Sequence, residues 1–196
     1  MGFAMRRVIQ NTQSLTHLHP EVVRIMEKAN SFGIDIHLPM DYVTYSQVGD
    51  YVEATLPGVF EMDCGPVTQA FNTMIIKASK TIIWNGPIGV YEIDRFAVGT
   101  KHMMHDVINA TKLGASSLIV GRHTNRMFDL HDCGFEVTHA TKWSGPVFNI
   151  LFGIQLMAIA ALSVAPATAT GMHISIVCVI FLKYTFLAFL NVHSKC

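Results

Sequence analysis

Two apolar runs, TIIW at 81–84 and ASSLIVG at 115–121, enclose the amphipathic stretch FAVGTKHMMHDVINATKLG, and this alternation constrains the fold more than any other feature. A short apolar strand, a helix of that length and another short apolar strand make a βαβ unit, whose two strands must run parallel. Upstream the pattern recurs more weakly. EVVRIMEKANSFG sets Val22, Val23, Ile25, Met26 and Ala29 near one helical stripe, with Gly33 as a stop. IDIHLPMDYV alternates like a strand running into a loop, and the polar stretch from Thr44 to Pro57 is expected to wander over the surface. A further helix is predicted from about Thr68 to Ala78, with Pro66 near its start, where the missing N–H has no intrahelical partner to lose. The expected fold class is α/β: a partial Rossmann-like parallel sheet with flanking helices.

Charge is distributed unevenly along the 196 residues, a length suited to one domain or two small ones. All 14 Asp and Glu residues lie between Glu21 and Glu136, and after Glu136 the only formal charges are Lys142, Lys183 and Lys195. The net charge of zero supplies no basic face, which argues against a nucleic-acid partner. Cys64, Cys133, Cys178 and Cys196 form no CxxC pair, so a reducing compartment is the simpler reading. The first 19 residues, with Arg6 and Arg7 and no acid, weakly resemble a transit segment, and the terminal Ser-Lys-Cys is a poor version of a peroxisomal address.

In open parallel sheets ligands bind beyond the carboxyl ends of the strands, where helix N-termini offer unpaired N–H groups. Two turns have that position here, WNGPIG after the first strand and VGRHT after the second. Glycine-rich turns also occur merely to make the bend. Four segments sharpen the choice: LPMDYV at 38–43, MDCGP at 62–66, TIIWNGPIGVYE at 81–92 and FAVGT at 96–100. In this order and spacing they resemble the carboxyl-terminal, nucleotide-binding domain of the phosphoglycerate kinase family, from about Pro20 to Gly121 and more faintly to Ser163.

The resemblance implies phosphoryl transfer between 1,3-bisphosphoglycerate and ADP in glycolysis, with ADP or ATP and Mg²⁺ as ligands and a cytoplasmic location. Carried over by position, Asn85, Gly86 and Pro87 help form the nucleotide pocket, and Glu92 accepts hydrogen bonds from the ribose diol. Gly121 and Thr124 are what survives of the family's GGGD(S/T) turn, which here reads Val120, Gly121, Arg122, His123, Thr124. For Glu92 the alternative is a first-turn glutamate favoured by a helix dipole.

The departures are as informative as the match. His123 stands where the family has an aspartate, and a neutral imidazole is a poor partner for Mg²⁺. The family's Ser-Thr-Gly-Gly-Gly turn aligns with Thr141, Lys142, Trp143, Ser144 and Gly145; His139 before it is kept. Nothing in residues 1–19 corresponds to the amino-terminal lobe that binds the triose, so 3-phosphoglycerate is a partner only where a separate lobe supplies its site. The expectation is weak nucleotide binding without independent turnover.

Residues 147–165 and 174–192 are each about long enough to span a bilayer as helices. In the second, twelve Ile, Leu, Phe and Val residues favour insertion by roughly 4 to 7 kcal/mol, against about 2.5 to 3.5 for the central Lys183. This gives the chain three parts: an extension at 1–19, a nucleotide-binding part at 20–142 and a hydrophobic helical tail at 143–196. The alternative function is a non-catalytic, membrane-associated interaction module. His123, His131, Cys133 and His139 could supply zinc ligands, but their spacing matches no common zinc pattern. His102 and His105 share a helix face beside Met103 and Met104 and are expected to be polar surface positions; no P-loop or Gly-x-Ser-x-Gly occurs.

Overall fold

The computed structural model describes residues 20–46, 59–157, 175–180 and 188–193. Helix α1, Pro20–Ser31, ends at Gly33, which adopts φ +64 while Ile34 N–H donates to the Ala29 carbonyl. Ala29 is buried as expected, but Ile25 of the predicted stripe is exposed. Strand β1, Asp35–His37, follows.

The segment expected to leave the sheet as a surface loop begins instead as a strand. Tyr42–Ser46 (β2) pairs antiparallel with Val59–Cys64 (β3) in a separate two-stranded sheet. Tyr, Val and Thr in YVTYS fit a pleated surface, a preference that outweighed the polarity of the stretch. Residues 47–58, the rest of the expected loop, lie outside the described residues.

Helix α2, Pro66–Ala78, starts with its proline at the first turn. Strand β4, Thr81–Asn85, helix α3, Val98–Lys112, and strand β5, Ser116–Val120, make the anticipated βαβ unit, with Trp84 paired in parallel to Ile119 and Asn85 to Val120. Helix α4, Arg122–Leu130, leads to strand β6, His139–Thr141, parallel to β5, and then to helix α5, Ser144–Leu151.

Alternation along β4 and β5 assigns the two faces of this sheet. Ile82, Trp84 and Ile119 pack with Ile76 of α2, Met103, Met104 and Val107 of α3, and Met127 and Phe128 of α4. Ile83 and Val120 pack on the other face with Leu118 and with Val147 of α5. The α/β reading with helices flanking parallel strands is thus what the chain adopts.

The second half of the predicted helical tail is overturned. Residues Ser175–Ile180 (β7) and Ala188–His193 (β8) are strands: β7 pairs parallel with β4, and β8 pairs antiparallel with both β7 and β1, giving the order β1-β8-β7-β4-β5-β6. An apolar run rich in Ile and Val fits a fully buried strand as well as a helix, and periodicity alone cannot separate the two. Of the first proposed span, 147–165, α5 covers the start, and residues 158–165 lie outside the described residues. Among the described residues no helix is long and apolar enough to cross a membrane. Residues 1–19, 158–174 and Lys183 lie outside the described residues, as do the histidines at 17, 19 and 173 and the last three positions.

Candidate functional site

At the carboxyl ends of β4, β5 and β6 the chain makes three turns that are tied to one another. Gly86 and Gly121 both adopt left-handed backbone, φ +103 and +92, which a side chain would strain. The Gly86 N–H donates to Thr124 Oγ1 at 2.6 Å, joining the turn after β4 to the first turn of α4. Gly121 N–H donates to the Thr141 carbonyl at 2.9 Å, and Asn125 Nδ2 donates to the carbonyls of Gly121 and Thr141, each at 2.8 Å. Asn85 Oδ1 lies where a β-carbon on Gly121 would sit. Trp84 Nε1 donates to the Gly86 carbonyl at 2.6 Å, so the core indole also holds the turn.

Four of the six sequence-predicted site residues, Asn85, Gly86, Gly121 and Thr124, therefore meet in one knot. Thr124 is fully buried, and its hydroxyl is already engaged. Gly121 is needed for the approach of Asn85, a reason for glycine internal to the protein. Pro87 continues the same turn, half-buried. Glu92 is exposed and precedes both the 3-10 turn Asp94–Phe96 and α3, so the first-turn reading for it does not hold. Beside it the Tyr91 hydroxyl is pushed above its ordinary range, chiefly by partial burial and then by the Glu92 carboxylate, while Arg126 pulls the other way. Replacing Thr124 by valine should strip the Gly86 N–H of its partner and cost about 1–3 kcal/mol of stability, measured as a shift in urea midpoint.

Two carboxylates that sequence reasoning left without a role fix the surroundings of this knot. Asp63, at the end of β3 and buried, accepts from the Gly99 N–H at 2.7 Å and the Cys64 N–H at 2.9 Å. It thereby caps the amino end of α3 from outside the helix. A β-carbon on Gly89 or Gly99 would collide with this carboxylate, which accounts for both glycines of the IGV and VGT segments. Burial pushes the Asp63 carboxyl up to about 6 despite its two N–H donors. The adjacent Gly89 N–H donates to Thr100 Oγ1 at 2.9 Å, and Val90 N–H donates to the Met62 carbonyl.

Asp41 does the same for α2. Its carboxylate accepts from the Val67 and Thr68 N–H groups at 2.9 and 2.7 Å and from the Thr68 hydroxyl at 2.6 Å; that hydroxyl accepts from Met40 N–H in return. Burial acts to raise the Asp41 carboxyl, but the hydrogen bonds from Thr68, Val67 and its own backbone outweigh it, and the net shift is downward. Neither aspartate stands next in sequence to the helix it caps: Asp41 directly precedes strand β2 and lies 25 positions ahead of α2, and Asp63 precedes α2 but caps α3.

The donors at the α4 turn do not suit the Mg²⁺ that the resemblance implies. Arg122, His123 and Thr124 offer no carboxylate, and hard cations take oxygen ligands. Among the described residues no three His, Cys, Asp or Glu side chains converge to hold a metal ion. The zinc candidates are spread over the start of α4 (His123), its end (His131), the following turn (Cys133) and β6 (His139). His102 and His105 are exposed; His102 Nε2 approaches Asp106 Oδ2 at 3.5 Å, and Met103 and Met104 are in the core.

Comparison with known proteins agrees with the motif order. The phosphoglycerate kinase family model matches residues 3–153, beginning upstream of Pro20. Phosphoglycerate kinase of Schistosoma mansoni is 36% identical over 150 residues, which cover 72% of this chain and 36% of that protein. Phosphoglycerate kinase 2 of Mus musculus is 35% identical over 176 residues, covering 83% of this chain and 42% of that one. In fold, the chain is similar to the phosphoglycerate kinase from Coxiella burnetii with a TM-score of 0.65 at 24% identity, over 80% of this chain and 43% of the other. The chain thus spans less than half the length of these curated relatives. With motifs, fold and family match in accord, the chain belongs to the phosphoglycerate kinase family.

Proposed function

We propose that this chain supplies the nucleotide side of a phosphoglycerate kinase and takes part in phosphoryl transfer between 1,3-bisphosphoglycerate and ADP. The observation that carries this reading is the WNGPIGVYE turn, anchored at the carboxyl end of β4 by Thr124, Trp84 and Thr100, with Glu92 exposed beside it. Residues 20–142 hold the nucleotide-binding part. Asn85, Gly86, Pro87 and Gly121 form the wall and floor against the purine nucleoside and its phosphates, Thr124 holds Gly86 from behind, and Glu92 accepts from the ribose hydroxyls. Triose binding, and with it turnover, requires a second lobe, because phosphoryl transfer depends on positioning the donor and acceptor together. The partners on this reading are an adenine nucleotide and, through that lobe, 3-phosphoglycerate; the location is cytoplasmic.

Calorimetric titration of ADP into the full chain tests this. Saturable binding, weakened about tenfold by Glu92→Ala through loss of a charged acceptor, is the expected result. A folded chain that binds no ADP would overturn it.

A further inference from the structure

The mismatch between the family's metal and the residues at the α4 turn has a chemical consequence. A divalent cation on a nucleotide neutralises phosphate charge and is held by protein oxygen ligands. Here the first turn of α4 contains no acidic residue, and Arg122 and His123 occupy it, both exposed. Thr124 Oγ1, the one hydroxyl in that turn, is committed to Gly86. Arg126 lies one helical turn beyond Arg122, on the side from which it acts on Tyr91. Among the described residues neither arginine is in an ion pair.

A cation at a helix amino end is unfavourably placed, since the exposed N–H groups there already carry partial positive charge. Two arginines in the first turns of α4 therefore form a positive site that an anion relieves. A guanidinium binds phosphate oxygens through a planar fork of N–H donors and needs no bridging metal. Coordinated Mg²⁺ would occupy those same phosphate oxygens and bring a double positive charge towards the arginines.

On this basis, and resting on the nucleotide reading above, we infer that the site takes its nucleoside diphosphate as the free polyanion, with Arg122 and Arg126 meeting the phosphate charge in place of a divalent cation. The relevant ligand is metal-free ADP.

The test is titration of ADP into the full chain in EDTA and again with Mg²⁺ in excess over ADP. Affinity in EDTA should equal or exceed that with Mg²⁺, should fall about tenfold in Arg122→Ala, and should weaken with added salt. Because Arg122 is exposed, that variant is expected to fold, and circular dichroism checks it. As a second probe, His123→Asp should shift the preference towards Mg²⁺ by restoring a hard oxygen ligand. Binding that requires Mg²⁺ would overturn the inference while leaving the nucleotide reading intact. Metal-free binding unchanged by Arg122→Ala would overturn the role given to that arginine. No binding in either medium would overturn both readings together.

Discussion

Trp84→Ala is expected to lower the free energy of unfolding by about 3–5 kcal/mol, the range for removing a buried aromatic side chain and leaving part of its volume empty. The indole is fully buried at the centre of the larger core and meets Phe128 edge-on, with centroids 5.6 Å apart at 72°. It also donates to the Gly86 carbonyl, so the substitution removes core packing and one tie on the turn at once. Domains of this size are stable by about 5–15 kcal/mol, which leaves the variant close to unfolding without denaturant. Guanidinium denaturation measures the loss. Trp143→Ala, at a site 76% exposed, provides the control and should change little. A loss below about 1 kcal/mol for Trp84 would contradict the packing described.

Asp63→Ala should cost about 3 kcal/mol, because the Gly99 and Cys64 N–H groups would lose their acceptor in a buried setting. The carboxylate also makes a pH signature. Its carboxyl titrates near 6 in the folded chain against an ordinary value of 3.8. The folded state therefore holds the proton more tightly, so this group's contribution is fully present below about 3.8 and is lost as pH rises through about 6. Asp41, shifted downward, acts in the opposite sense: its contribution is present above 3.8 and is lost as pH falls through the folded value. Denaturation midpoints collected from pH 4 to pH 7 should show a slope that Asp63→Asn removes. A slope that persists in the variant would show that Asp63 is not its source.

The βαβ unit was legible because Ile82, Trp84 and Ile119 lie in short apolar runs on either side of a helix whose Met103, Met104 and Val107 face one way. Its site was legible as a family string rather than as geometry. WNGPIGVYE indicates a turn, but nothing in the spacing shows that Thr124 reaches Gly86 across 38 positions. Asp41 and Asp63 escaped notice for the same reason: a cap supplied from outside the helix has no local pattern like the one an N-cap Ser or Asp gives. The apolar runs of β7 and β8 fit a strand as well as a helix, and hydropathy alone does not choose between them. Strand β7 is paired to β4 on one side and to β8 on the other.

The two tryptophans divide the protein's ultraviolet emission between contrasting surroundings. Trp84 is sealed from water and bonded to the glycine turn, whereas Trp143 stands 76% exposed at the start of α5. A water-soluble quencher will silence Trp143 first and leave a blue-shifted signal from Trp84. That residual light comes from a chromophore one residue away from Asn85 and hydrogen-bonded to Gly86, so the chain carries its own optical reporter on the turn where the nucleotide is proposed to bind.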